Sequence, residues 1–315
     1  GRAELPMRLA IRGGLVVDGD GGTPRRADVL VEGARVVEIG DLPGSVDAAD
    51  VDAVGCVVAP GFIDVHTHAD FTLLAFPGAD SAIRQGVTTV VTGNCGGGVA
   101  PNEPAHDVRR VAFGYSDAWG IPLSWRSFPE YLEHLPGAAV NVSALIPHGA
   151  VRNAVLGLAS RPPTSHELAR MKALVAEAMA AGAAGLSTGL EYQPGCFADV
   201  DEVAALAGVV AAADGVYTTH MRNRAERYAE ATGEAVDVSR RTGVRLQLSH
   251  VAPRPYAPAS AVSRAREEIA RGQGDGLEIW TDTFPEIWGP GNLADLLPRE
   301  VAQGTPGEVA RRLRG

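Results

Sequence analysis

Five residues of the kinds that bind metal ions follow β-branched or apolar runs in this sequence. They are His66 and His68 in GFIDVHTHAD, Cys95 in GVTTVVTGNC, His220 in GVYTTHMR and His250 in GVRLQLSHV. Imidazole nitrogen and thiolate sulfur are typical zinc donors. If each run is a strand of a parallel barrel, the strand ends converge on one rim, and donors distant in sequence can meet around one ion. This pattern favours a metal-dependent hydrolase.

The paired histidines are predicted to bind one ion together. Side chains alternate along a strand, so His66 and His68 share a face while Thr67 points away. Cys95 lies in the glycine-rich stretch GNCGGG. It is either a small buried thiol or a thiolate ligand, and a thiolate could bridge two ions.

Other polar residues near predicted strand ends are candidates for secondary roles. Glu191, in STGLEYQPG, is a candidate to bind or bridge a metal, or alternatively a residue that supports a metal ligand or stabilises the loop. His148, after ALIP, is a candidate substrate contact or a packing residue. Arg222 could clamp a substrate carboxylate or form a loop salt bridge. Asp282 is expected at the rim, where it could face the cavity.

Strand-like and helix-like runs alternate from residue 61 onward, which predicts an α/β fold, a (β/α)8 TIM-type metallo-hydrolase barrel. Strands are expected near 61–66, 86–92, 139–146, 184–189, 215–220, 244–250 and 277–282, and helices near 165–182, 200–213, 223–242 and 260–272. The last barrel strand is not found, so residues 61–315 are expected to be a barrel that is incomplete at its C-terminus. Residues 1–60 are β-rich and predict a small segment of a composite β-sandwich.

The composition is that of a globular protein. The chain has 315 residues, of which 45% are hydrophobic and 21% charged. A formal charge of −10 argues against nucleic acid or anionic membrane as a partner. Three scattered cysteines and the lack of a signal-peptide pattern favour a reducing, cytoplasmic setting. Cys56 and Cys196 are interpreted as packing residues, and the initial glycine suggests a fragment.

Several blocks of the sequence together resemble the D-aminoacylase (N-acyl-D-amino-acid deacylase) family of the amidohydrolase superfamily. These blocks are GFIDVHTHAD, QGVTTVVTGNCGGGVAP, GAAGLSTGLEYQPG, VYTTHMRN, QLSHV and TDTFPE. The resemblance implies a metal-dependent barrel with a small β domain and one or two Zn²⁺ ions. It implies a tight zinc site formed by Cys95, His220 and His250. It also implies a second site formed by His66, His68 and a bridging Cys95.

The chain departs from the family pattern in three places. The resemblance implies a general-base aspartate after an eighth strand, and this chain ends before that position. Ala252 stands where family members often have lysine, and Phe284–Pro285–Glu286 stands where they have Tyr-Pro-Tyr. Candidate substrate contacts are Arg222, Tyr192, His148 and Phe284.

The reaction expected from the resemblance is zinc-dependent hydrolysis of a linear amide in a small molecule, an N-acyl-D-amino acid. One alternative is a cyclic-amide hydrolase or an isoaspartyl-type dipeptidase on the same scaffold. A carboxylated lysine after the fourth barrel strand would favour it, but GLSTGLEY contains no lysine. Another alternative is a truncated, non-catalytic metal-binding barrel. The sequence does not predict an oligomeric state.

Overall fold

The computed structural model describes residues 8–113, 115–135, 137–284, 297, 301 and 306–314. The chain divides into two compact units, Gly1–Phe62 and Ile63–Gly315. This division follows Phe62, two residues beyond the boundary that the sequence predicts after residue 60. Residues 285–296 lie outside the described residues, and they include Pro285 and Glu286 of the TDTFPE block.

The N-terminal unit contains one mixed sheet. Its strands are β1 (Arg8–Val16), β2 (Arg25–Glu32), β3 (Arg35–Gly40), β4 (Ala49–Asp52) and β5 (Val57–Val58). The sheet order is β3-β2-β1-β4, and β5 pairs in parallel with β1. Side chains point alternately to the two faces of each strand, which buries Ala10 and Leu30 in one small core and Val16 and Val29 in another. The second layer of the predicted sandwich stays a prediction.

The C-terminal unit is built on a seven-stranded sheet that follows chain order. Its strands are β6 (Phe62–Asp64), β7 (Val87–Thr92), β8 (Asn141–Pro147), β9 (Gly185–Gly189), β10 (Val216–His220), β11 (Arg245–Leu248) and β12 (Ile279–Thr281). Each neighbouring pair from β7 to β12 is parallel. The predicted TIM-type α/β fold class is confirmed, with a strand at each of the seven predicted places. All the carboxyl ends from β7 to β12 therefore lie at one edge.

Helices follow most strands of this sheet. They are α1 (Thr72–Ala75), α2 (Asp80–Ile83), α3 (Phe128–His134), α4 (His148–Leu156), α5 (Ser165–Ala180), α6 (Val200–Ala212), α7 (Tyr228–Thr242), α8 (Ala259–Gly274) and α9 (Pro306–Arg314). The start of α5 is set by a capping box, in which Thr164 and Glu167 satisfy each other's backbone N–H groups. Across the described residues, every helix is too short or too polar to span a bilayer.

The main core lies between these helices and the sheet. Met171 and Val175 of α5 and Leu206 of α6 are fully buried, as are Leu186 of β9 and Leu246 of β11. Each such side chain contributes about 1.5–3 kcal/mol on burial. This packing holds the strand ends in fixed positions relative to one another.

The structure corrects three details predicted from the sequence. The helix expected over 223–242 begins at Tyr228, because the Asn223 side chain accepts hydrogen bonds from the N–H groups of Ala225 and Arg227 and forms a turn. The strand expected over 61–66 ends at Asp64. Cys56 is exposed and does not pack in a core.

Candidate metal centre

The structure brings all five predicted ligands together in two groups that share one residue. His66, His68 and Cys95 form one group, and Cys95, His220 and His250 form the other. Within each group the donor atoms lie within 4.8 Å of one another. Cys95 Sγ is 3.2 Å from His66 Nε2 and 3.3 Å from His250 Nε2. A thiolate at this position could serve either group or bridge ions in both.

The two histidines of the HTH motif lie on one side of the chain, although the strand ends before them. The Thr67 N–H and hydroxyl groups both donate to the Val91 carbonyl at 3.0 Å. This contact continues the pairing with β7 beyond the end of β6 and turns Thr67 away from the site. The His66 and His68 rings remain together, with centroids 5.5 Å apart.

Cys95 is held by close packing between its turn and β9. Its φ is 55°, in the left-handed region that non-glycine residues rarely adopt. A Cβ on Gly96 would lie 2.5 Å from Gly189 N, and one on Gly189 would overlap the Cys95 carbonyl oxygen. The Ser187 hydroxyl accepts from Gly96 N–H at 3.0 Å and donates to the Gly93 carbonyl. The glycines therefore allow the backbone contact that places the thiol.

Glu191 orients His220. Its Oε2 is 2.7 Å from His220 Nε2, whereas His220 Nδ1 is buried and has no hydrogen-bond partner among the described residues. Burial opposes the charge on Glu191, but the His220 hydrogen bond and the nearby arginine charges lower its pKa to about 2. The ionised carboxylate keeps a hydrogen on Nε2 and leaves the Nδ1 lone pair available. Glu191 lies outside both donor groups, and its contact with His220 matches the supporting role that the sequence left open.

Asp282 has the corresponding role at His66, through an interaction that the sequence did not predict. Its Oδ2 is 3.3 Å from His66 Nδ1 and accepts a hydrogen bond of 3.0 Å from Gln247 Nε2. Its other oxygen accepts the backbone N–H of His250, whose φ is 35°. Burial opposes ionisation of Asp282, but these hydrogen bonds lower its pKa. His66 Nε2 is thereby left facing Cys95.

The chemistry of this donor set fits a zinc ion. Burial lowers the pKa of His68 and of His220 to about 4, so both imidazoles are neutral and retain a lone pair. Burial also raises the pKa of the Cys95 thiol. A positive charge beside Cys95 would offset that effect, because a metal stabilises the thiolate. The buried Nδ1 atoms of His68 and His220 have no hydrogen-bond partner within the described part of the chain.

Aromatic side chains line the donor groups. The ring centroids of Tyr192 and His220 are 4.4 Å apart, and those of Phe284 and His250 are 6.5 Å apart. Both candidate substrate contacts are therefore next to proposed ligands. Phe113 lies 4.8 Å from His68 and was missed, because the long connection that carries it has no regular hydrophobic pattern.

Two other predicted substrate contacts have structural partners instead. His148 is fully buried, and its Nε2 lies 2.8 Å from Glu202 Oε1. Arg222 forms a two-pronged ion pair with Glu234 at 2.7 and 2.9 Å, and it also donates to the Ala198 carbonyl. These contacts agree with the packing interpretation of His148 and the salt-bridge interpretation of Arg222. A substrate contact by either residue stays a prediction.

Comparison with known proteins places this fold and site in a family. A family model described as "Amidohydrolase family" matches residues 50–291. The chain belongs to this family, and the resemblance predicted from the sequence blocks is confirmed.

Curated relatives and solved structures agree with this assignment. An N-acyl-D-glutamate deacylase of Alcaligenes xylosoxydans xylosoxydans is 36% identical over 302 residues, 94% of this chain and 60% of the relative. A D-aminoacylase from the same organism is 40% identical over 247 residues, 78% of this chain and 50% of the relative. The crystal structure of N-acyl-D-glutamate deacylase from Bordetella bronchiseptica, complexed with zinc and a phosphonate inhibitor, superposes with a TM-score of 0.78. It is 34% identical, and the match covers 88% of this chain and 58% of that one.

The relatives are longer than this chain. It spans 50–60% of the length of the two curated relatives. A D-aminoacylase crystal structure, also with a TM-score of 0.78 and 34% identity, is covered to 58% of its length. The residues matched by the family model include the proposed metal ligands, whereas the chain covers only part of each relative.

Proposed function

We propose that this chain carries the metal centre of a zinc-dependent amidohydrolase that removes the acyl group from N-acyl-D-amino acids. The observation that carries the proposal is the pair of donor groups that share Cys95. The names of three relatives support the substrate class: N-acyl-D-glutamate deacylase, N-acyl-D-aspartate deacylase and D-aminoacylase. A reducing, cytoplasmic setting belongs to the same proposal, because it would keep Cys95 available as a thiolate.

The ligand assignment follows the two groups. Cys95, His220 and His250 would hold one zinc ion, and His66 and His68, with Cys95 as a bridge, would hold a second. Bound zinc would supply a Lewis acid for the amide carbonyl and a water of lowered pKa. A related D-aminoacylase structure is described as having a binuclear metal centre with one-metal activation and second-metal attenuation, which supports one or two ions here.

The chain's own residues prepare the donors for this chemistry. Glu191 and Asp282 hold hydrogens on the ring nitrogens that face away from Cys95, so the remaining lone pairs face the ion. The aromatic rings of Tyr192 and Phe113 cover His220 and His68 and limit access of bulk water. The acid–base residue is not assigned among the described residues.

The proposal is tested by metal analysis on the 315-residue protein and by a substrate panel on a version extended to the length of the relatives, which would include the aspartate that the resemblance implies. We expect between one and two equivalents of zinc after reconstitution, and release of acetate from N-acetyl-D-amino acids in preference to their L-isomers. Dihydrouracil, a cyclic amide, serves as the competing substrate. A zinc-loaded protein that hydrolyses only L-isomers or only the cyclic amide would contradict the substrate class. A protein that retains no zinc would contradict the metal centre.

A further inference from the structure

A buried arginine lies beside the proposed metal centre and is incompletely paired. The Arg224 side chain is 10% exposed. Its Nη1 lies 3.4 Å from His250 Nδ1, and its Nε lies 3.7 Å from Glu191 Oε2. Among the described residues, Nε has no hydrogen-bond partner. A buried guanidinium with an unsatisfied N–H group is costly, and such a group is usually paired with an acceptor.

A second arginine approaches the same carboxylate. Arg254 Nη2 is 3.1 Å from Glu191 Oε2, and its side chain is 33% exposed. The Arg254 backbone N–H donates to the Arg224 carbonyl at 2.7 Å, which ties the two segments together. One oxygen of Glu191 therefore faces both guanidinium groups as well as His220 Nε2.

Among the described residues, a single carboxylate contacts the two arginines. Glu191 is shared by two arginines that remain charged at any working pH. Two further carboxylates of the site contact other groups: Asp282 accepts from His66 and Gln247, and Glu234 pairs with Arg222. In the described part of the chain, the arginine pair therefore has one more positive charge than its carboxylate can balance.

The contact between Arg224 and His250 does not remove this need for an acceptor. His250 Nε2 faces Cys95, so a metal bound through Nε2 leaves the hydrogen of a neutral imidazole on Nδ1. Arg224 Nη1 would then meet another donor at 3.4 Å. A ligand with a negative oxygen near Arg224 and Arg254 would satisfy the N–H groups of both.

We propose that Arg224 and Arg254 together bind a carboxylate of the substrate beside the metal centre. This inference rests on the proposed function and adds to it the residues that select an anionic substrate. Guanidinium groups match carboxylates in shape and charge, and two of them can bind both oxygens. In an N-acyl amino acid the α-carboxylate is attached to the carbon that bears the amide nitrogen. Binding it next to His250 would place the scissile amide near the donor groups.

The inference is tested by calorimetric titration of the zinc-loaded 315-residue protein with three ligands, of which two carry a carboxylate and one is neutral. N-acetyl-D-leucine carries only an α-carboxylate, N-acetyl-D-isoglutamine carries only a side-chain carboxylate, and N-acetyl-D-leucinamide carries neither. We expect the protein to bind one of the charged ligands at least about tenfold more tightly than the neutral amide. Whichever charged ligand is preferred identifies the carboxylate that the arginines bind.

Substitutions then connect that preference to the two arginines. Arg254→Met should weaken binding of the preferred anion roughly 10- to 100-fold and leave binding of the neutral amide unchanged. Arg254→Lys should recover part of the affinity, because lysine keeps the charge but loses the planar fork. Arg224→Met should have an effect similar to that of Arg254→Met. Arg264→Met, which removes an exposed arginine on α8, is the matched control and should change neither affinity.

The outcomes separate this inference from the function on which it rests. Equal affinity for charged and neutral ligands, or an anion preference that survives Arg254→Met, would overturn the arginine site but not the hydrolase. If Arg224→Met loses zinc, the more exposed Arg254 still decides the question. A zinc-loaded protein that binds none of the three ligands would overturn both proposals, and a failure in the hydrolysis panel alone would overturn only the reaction.

Discussion

At the residue scale, the partner of each histidine determines which of its nitrogens is available. Glu191 occupies Nε2 of His220, and Asp282 occupies Nδ1 of His66. The two histidines therefore offer different ring nitrogens to the shared cluster. Which nitrogen each histidine offers therefore depends on the carboxylate that holds its other nitrogen. Removing a carboxylate of this kind typically lowers metal affinity 10- to 100-fold.

The shared thiol makes Cys95 the most sensitive residue of the centre. Cys95→Ala removes a donor from both groups, so we expect most of the zinc to be lost. Metal content after dialysis, measured by mass spectrometry, checks this. Cys56→Ala, at an exposed position in the N-terminal unit, is the control and should keep the zinc of the parent protein. Full occupancy in Cys95→Ala would refute the ligand assignment.

At the scale of elements, the proposed metal centre depends on the fit between the turn after β7 and strand β9. Gly189→Ala would place a methyl group against the Cys95 carbonyl and push the turn outward. We expect lower zinc content and a loss of roughly 1–3 kcal/mol in unfolding free energy, the usual cost of overpacking. Zinc analysis and urea unfolding measure the two effects.

A second glycine provides the control for this substitution. Gly233 lies within α7, and a Cβ there would meet no atom within 4 Å. Gly233→Ala should keep its zinc and gain about 0.5–1 kcal/mol in stability, since alanine favours the helix. Equal zinc retention in both variants would mean that the turn does not need the contact with β9.

Helices α4 and α6 are joined by a buried ion cluster that gives the fold a pH dependence. Glu202 accepts hydrogen bonds from His148 and Arg152, and all three side chains are almost fully buried. Burial opposes ionisation of Glu202, but the His148 hydrogen bond and the Arg152 charge lower its pKa below its usual value of 4.5. Because the folded-state pKa is the lower one, Glu202 stabilises the fold above about pH 4.5. That contribution is lost as the pH falls from there through the folded-state value.

Glu202→Gln should therefore lower the unfolding free energy at pH 7 by about 3–5 kcal/mol, the usual cost of removing one partner of a buried ion pair. It should also make stability less dependent on pH below about 4.5. Urea unfolding at a series of pH values tests both effects. Glu177→Gln, on the exposed face of α5, is the control and should change the free energy by less than about 0.5 kcal/mol. A pH profile identical to that of the parent would exclude Glu202 as the titrating group.

The sequence predicted the positions of elements better than the contacts between them. The seven strands and the five donors were visible because each donor follows a β-branched run. The HTH pair was predicted to lie on one face of a strand, and the shared side arises instead from Thr67 pairing with Val91 beyond the strand. Sequence spacing cannot reveal that Asp282 meets His66 across 216 residues. The burial of His148 depends on Glu202, which is likewise distant in sequence.

At the scale of the whole molecule, metal binding should stabilise the C-terminal unit, because the two proposed ions together would join the ends of four different strands. Zinc at about 100 times its dissociation constant adds about 2.7 kcal/mol if only the folded state binds it. For a unit of this size the melting temperature should rise by roughly 5–10 °C. Calorimetry with and without zinc measures the change. Magnesium, or zinc added to Cys95→Ala, should produce almost none.

The donor set also has a consequence for how the protein is made. Cys95 and His250 are separated by 155 residues, so a ribosome completes the HTH–Cys95 group long before it synthesises the last imidazole. During that interval the Cys95 thiol has only His66 and His68 as possible partners, because His220 and His250 have not yet been synthesised. Copper binds nitrogen and sulfur donors more tightly than zinc does. The supply of free metal during translation would therefore influence which ion the finished protein contains.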